Sequence, residues 1–133
     1  MKKLLITIIA AVSLFGCGMI PVVPTFDNVE YNHFVEFQSL VKTSAKFCGS
    51  PNLIKEQSWE ITQKAMTLDL YATHRAGHTE IKEVTKIILA NAREFEAKYG
   101  GEQTPSIAYC FGKLKIIDLS LNRILPEIGD LQK

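Results

Sequence analysis

Three cysteines and three histidines are the residues of this chain with the readiest chemistry. Cys17, Cys48 and Cys110 could be acylated, bridged or used as metal ligands. No histidine stands near any of them at zinc-ligand spacing, so a zinc site is not expected. His74 and His78 are four residues apart, but Gly77 falls between them and should break a helix there. With His33 they read as ordinary histidines of an exposed loop rather than a metal site. There is no C-x-x-C-H for covalent haem, and Met66 does not fall where a core-facing axial ligand would. Asp118 borders an apolar stripe, where a flanking ion pair with Lys115 or an arginine accounts for it. No G-x-S-x-G, H-E-x-x-H or P-loop occurs. Neither catalysis nor a cofactor is expected.

Cys17 stands in a more informative setting. Lys2 and Lys3 are followed by an apolar run from Leu4 to Leu14, the form of a secretory signal. The run is shorter than the roughly 20 residues a membrane-spanning helix needs. It ends in Leu14-Phe15-Gly16-Cys17, which resembles the lipobox of bacterial lipoproteins. Phe15 replaces the small or β-branched residue usual at that place. The resemblance implies that residues 1–16 are a signal peptide and are removed, and that Cys17 is acylated on sulfur and on its new amino group. Two or three acyl chains suffice for stable anchoring.

The chain has 133 residues, enough for one domain with a single core. Its 15 basic and 14 acidic side chains give a net charge of +1, and loss of Lys2 and Lys3 makes that −1. Without a basic excess or an arginine-rich run, nucleic acid is not an expected partner. Export would place Cys48 and Cys110 in an oxidising compartment, where a lone pair reads as one disulfide.

The elements that position these residues read as four helices. Residues 17–26 form a tether, in which Pro21 and Pro24 forbid helix. From Gly18 to Thr25 it reaches roughly 25–30 Å fully stretched. Residues 27–133 are the domain. Asp27 or Asn28 caps a first helix running to about Phe47, with Tyr31, Phe34, Val35, Val41, Ala45 and Cys48 on its inner face. Ser50-Pro51 starts a second helix, whose stripe is Ile54, Ser58, Ile61, Ala65, Leu68 and Ala72. His78 or Thr79 caps a third, with Ile81, Val84, Thr85, Ile88, Ala92, Phe95 and Tyr99, stopped by Gly100-Gly101. Thr104-Pro105 starts the fourth, with Ile107, Cys110, Leu114, Ile117, Leu121 and Ile124, ended by Pro126. No strand alternation or internal repeat occurs.

Helices of this length with short links predict an all-α, up-down-up-down four-helix bundle about 30 Å long. In a square bundle the first and fourth helices are neighbours. Cys48 ends the first and Cys110 lies early in the fourth, both at the same end, so the thiols meet across that seam.

The full pattern combines a lipobox, a tether, four helices, Ala45-Lys46-Phe47-Cys48, and a second cysteine in Thr104-Pro105-Ser106-Ile107-Ala108-Tyr109-Cys110. It resembles the PulS/OutS-type pilotins of type II secretion. That resemblance implies an outer-membrane lipoprotein facing the periplasm. It would bind the C-terminal segment of a secretin as a helix in a groove and reach the outer membrane through the lipoprotein-sorting machinery. Gly18 after the acylated cysteine is compatible with that sorting. A groove binder needs apolar side chains beyond those of the core. Phe37, Leu40 and Phe47 on the first helix, Trp59, Met66 and Leu70 on the second, and Ile87 and Leu89 on the third fall off the main stripes and are the candidates. The rival reading is an unrelated small helical lipoprotein: an inhibitor, an exclusion factor or an envelope-spanning lysis component.

Overall fold

The computed structural model describes residues 23–75 and 77–133, so Cys17, the signal segment and residues 17–22 of the tether lie outside the described residues. Four helices follow in order: α1 (Asn28–Ser44), α2 (Pro51–His74), α3 (Thr79–Tyr99) and α4 (Ile107–Asp130). A 3₁₀ turn, Ala45–Phe47, extends α1 to the expected end.

The start signals have identifiable causes. The Asp27 carboxylate accepts the Val29 and Glu30 N–H groups at 2.8 and 3.2 Å, satisfying two donors of the first turn of α1. Ser50 precedes Pro51 at the first turn of α2, where a missing N–H costs nothing. Gly77, at φ 80°, turns the chain between α2 and α3 in a region that side chains disfavour. The cap of α4 is Ser106, not Thr104: its hydroxyl accepts the Tyr109 N–H at 3.1 Å. Pro126 does not end α4. The helix continues through it to Asp130, and Ile128 beyond it is fully buried. Burial of Ile128 on the same stripe as Ile117, Leu121 and Ile124 offsets the backbone hydrogen bond that proline removes.

The helices close a square. Among the described residues α1 packs on α2, α2 on α3, α3 on α4 and α4 on α1, and the backbones of neither diagonal pair approach closely. The up-down-up-down bundle is therefore the fold. The α2–α3 seam is the most extensive. Small buried residues (Ser58, Ala65, Ala72 and Ala92) let those backbones approach. Thr62 bridges the seam by donating to the Ala92 carbonyl at 3.1 Å, and Thr85 donates to Asp69 at 3.0 Å.

Cys48 and Cys110 form a disulfide across the α1–α4 seam, with Cα atoms 5.6 Å apart. Lower on that seam Gln38 donates to Asp118 and Asn122 at 3.0 and 2.7 Å, and Lys42 lies 3.7 Å from Asp118. Asp118 thus holds two helices together through Lys42 and Gln38, not through Lys115 or an arginine.

The inner face of α1 differs from the expected one. Glu30, Phe34, Phe37, Val41, Ser44 and Cys48 point inward, whereas Val35 is 42% exposed. Two polar residues on the true stripe disguise it. Ser44 is accommodated because its hydroxyl donates to the Leu40 carbonyl at 2.8 Å and lies 3.0 Å from the Gln57 side-chain amide. On α4, Ile107 is 54% exposed rather than core, since it belongs to the first, outward turn.

Candidate functional site

The shallower α1–α2 seam leaves a cleft of about 280 Å³. Phe37 and Leu68 are buried at its floor; Met66 and Leu70 from α2 complete its apolar lining. His33 and Glu36 from α1 and Glu60, Gln63, Lys64 and Thr67 from α2 form the polar rim. Helix periodicity brings these together, since α1 and α2 run antiparallel and expose matching flanks. Below the cleft lies a shallow apolar hollow lined by Thr67, Leu70, Tyr71, His74 and Arg75. Thr67 and Leu70 line both, so the two adjoin along α2.

The eight groove candidates divide. Phe37, Met66 and Leu70 meet in the cleft. Phe37 is 1% exposed, however, and belongs to the core rather than to a surplus face. Leu40 and Phe47 are half-buried against the core and line neither cavity, because the true α1 stripe draws them to its edge. Trp59 is 56% exposed and sits apart, in a hollow with Lys55, Glu56, Ser58, Glu96 and Gly100 towards the other end of α2. Leu89 is buried in the core, while Ile87 is exposed.

A second cluster closes the end of the bundle where α1 begins and α2 ends, here called the base. Tyr71 donates its hydroxyl to Asp27 at 2.6 Å. The Arg75 guanidinium reaches four groups. It donates to the Thr25 carbonyl at 2.8 Å and lies 3.5 Å from Asp27 and 3.8 Å from Glu30. The His78 ring is 3.4 Å from Arg75 through Nε2 and 4.0 Å from Glu30 through Nδ1. Glu30 and His78 are both buried, and neither carboxylate oxygen of Glu30 has a hydrogen-bond partner among the described residues.

Those surroundings set the charge states. The Tyr71 hydroxyl, with two backbone N–H groups and Arg75, holds the Asp27 carboxyl below the usual range, and the same contact raises the Tyr71 phenol. Burial raises Glu30, although Arg75 opposes it. Burial, with Arg75 beside it, lowers His78, so the imidazole is held neutral.

His78 is therefore not a residue of an exposed loop. His33 packs its ring 5.9 Å from Tyr71, and His74 is exposed, so the three histidines do not converge. Among the described residues no three metal-ligating side chains are placed to hold a metal ion, and none of the described helices is long and apolar enough to cross a membrane.

The sequence reading missed Glu30. Stepping back four residues from Phe34 along the inner stripe would have found it, but a carboxylate there is an unusual core residue. Compared with profiles of known protein families, with characterised proteins and with solved structures, the chain matches none.

Proposed function

We propose that this chain is a pilotin-like lipoprotein. It binds the C-terminal segment of a type II secretion secretin as a helix lying in the α1–α2 cleft. Acylated at Cys17, it carries that subunit through the lipoprotein-sorting machinery to the outer membrane, with its domain in the periplasm.

The observation that carries the reading is the cleft and the adjoining hollow that follow α2 from Glu60 to Arg75, with Phe37, Met66, Leu68 and Leu70 as the apolar contacts. The fifteen helical residues from Glu60 to His74 measure about 22 Å, the length of about four turns of a docked helix. Phe37 and Leu68 make a fixed floor, and Met66 and Leu70 are adaptable or exposed apolar contacts. An amphipathic helix presents apolar anchors at such spacing, with its polar side left to the rim. The lipobox and the bridged bundle agree with the same family resemblance.

The test is titration of the cognate secretin C-terminal peptide into the purified domain. Binding should raise helical circular dichroism, because a flexible peptide becomes ordered. Leu70→Asp places a charge on an exposed wall of the cleft and should abolish binding with the bundle intact. Leu40 is unsuited to this test, since it packs against the core. Trp59→Asp, in the separate hollow, should leave binding unchanged. Absence of any peptide binding at high micromolar concentration would overturn the assignment.

A further inference from the structure

The base cluster borders the docking path only where Tyr71 and Arg75 line the lower hollow, and its contacts to Thr25, Asp27 and Glu30 are not needed for that path. We propose that residues 23–27 form a strap clasped onto the base by Arg75 and Tyr71, so that the chain leaves the bundle at one fixed point and in one fixed direction.

Each strap residue from Thr25 onward has its own hold. The Thr25 carbonyl accepts from the Arg75 guanidinium at 2.8 Å, and the buried His78 ring faces the same carbonyl. Phe26 packs against the core, its ring 6.0 Å from that of Tyr31. Asp27 caps α1 while also receiving the Tyr71 hydroxyl and facing Arg75. Arg75 and Tyr71 both come from the last turns of α2, so the strap is fastened to a second helix and not only to its own. Val23, the first described residue, is 72% exposed.

A helix cap alone needs none of this. Asp27 satisfies the α1 donors without Arg75, and an arginine that is three-quarters buried gives up hydration for its contacts. A guanidinium fork that spans a backbone carbonyl and a carboxylate fixes direction as well as position. The clasp therefore turns the base toward whatever holds the chain before Val23. If that is an acylated Cys17, the base faces the membrane and the cleft runs up the side of the bundle. This last step rests on the lipoprotein reading; the clasp itself does not.

Limited proteolysis of the full chain by chymotrypsin tests it, with mass spectrometry following the fragment that begins at Asp27. Far-UV circular dichroism monitors the bundle in the same samples. The wild-type strap should resist cleavage after Phe26. Arg75→Gln should speed that cleavage about tenfold or more, the scale of losing a charge-assisted hydrogen bond. Tyr71→Phe removes a single hydroxyl and should give a smaller increase; it decides the matter if Arg75→Gln does not fold. Cleavage after Phe26 at equal rates in wild type and in the folded variants would overturn the clasp. Failure of the secretin peptide to bind would leave this result untouched, so the two proposals fail separately.

Discussion

Glu30 carries a carboxylate into the core, and its neighbours decide what acidification does. It faces Asp27 on its own helix, Arg75 at the end of α2 and His78 before α3. His78 in turn faces Arg75, the Thr25 carbonyl, Lys82, Asp27 and Glu30. The lowered His78 pKa means that the unfolded chain takes up a proton first as pH falls, so stability drops from the ordinary histidine range downward. The raised Glu30 pKa acts oppositely: the folded chain takes up its proton first, and stability gains as pH falls toward the ordinary glutamate range. Wild type sums the two. Glu30→Gln leaves only the histidine slope and also removes the anion nearest it. That variant should lose stability more steeply than wild type between pH 7 and 5, measured as melting temperature against pH. An equal or shallower slope would contradict this placement of the charges. The neighbouring Asp27 has a lowered pKa, so its contribution persists until pH falls below the ordinary aspartate range.

At the scale of elements, α4 shows where local rules yield to packing. Proline inside a helix costs about 3 kcal/mol, yet α4 runs through Pro126 because Ile128 belongs to the core. Pro126→Ala should stabilise by about 1–2 kcal/mol, since the regained hydrogen bond is partly offset by a freer unfolded chain. Ile128→Ala should cost about 2–4 kcal/mol. Urea unfolding measures both. A destabilised Pro126→Ala would mean that the proline has a structural use beyond what the packing shows. The helices, their order and most of their stripes were legible because apolar residues recur at three- and four-residue steps. The stripe of α1 was misread because Glu30 and Ser44 occupy inward positions, and periodicity counts only apolar residues. Phe37 was consequently assigned to a surface groove. The base clasp was not legible at all: it joins Thr25, Tyr71 and His78, which no local pattern relates.

At the scale of the molecule, the disulfide ties the upper end of the α1–α4 seam and closes a loop of 62 residues. In the chain-entropy account that contributes about 4 kcal/mol. The Cys48→Ala/Cys110→Ala double variant should melt about 10–20 °C lower than the oxidised domain. With bridge and clasp at opposite ends, the bundle is a fixed frame, and the cleft lies on its side between α1 and α2. The proposed role requires this cleft to receive a helix. It is tested most directly by isothermal titration of the secretin C-terminal peptide into wild type, Leu70→Asp and Trp59→Asp. Saturable binding with a negative heat-capacity change is expected for wild type and Trp59→Asp, and none for Leu70→Asp. Binding that survives Leu70→Asp but is lost with Trp59→Asp would contradict it, as would no binding to any of the three.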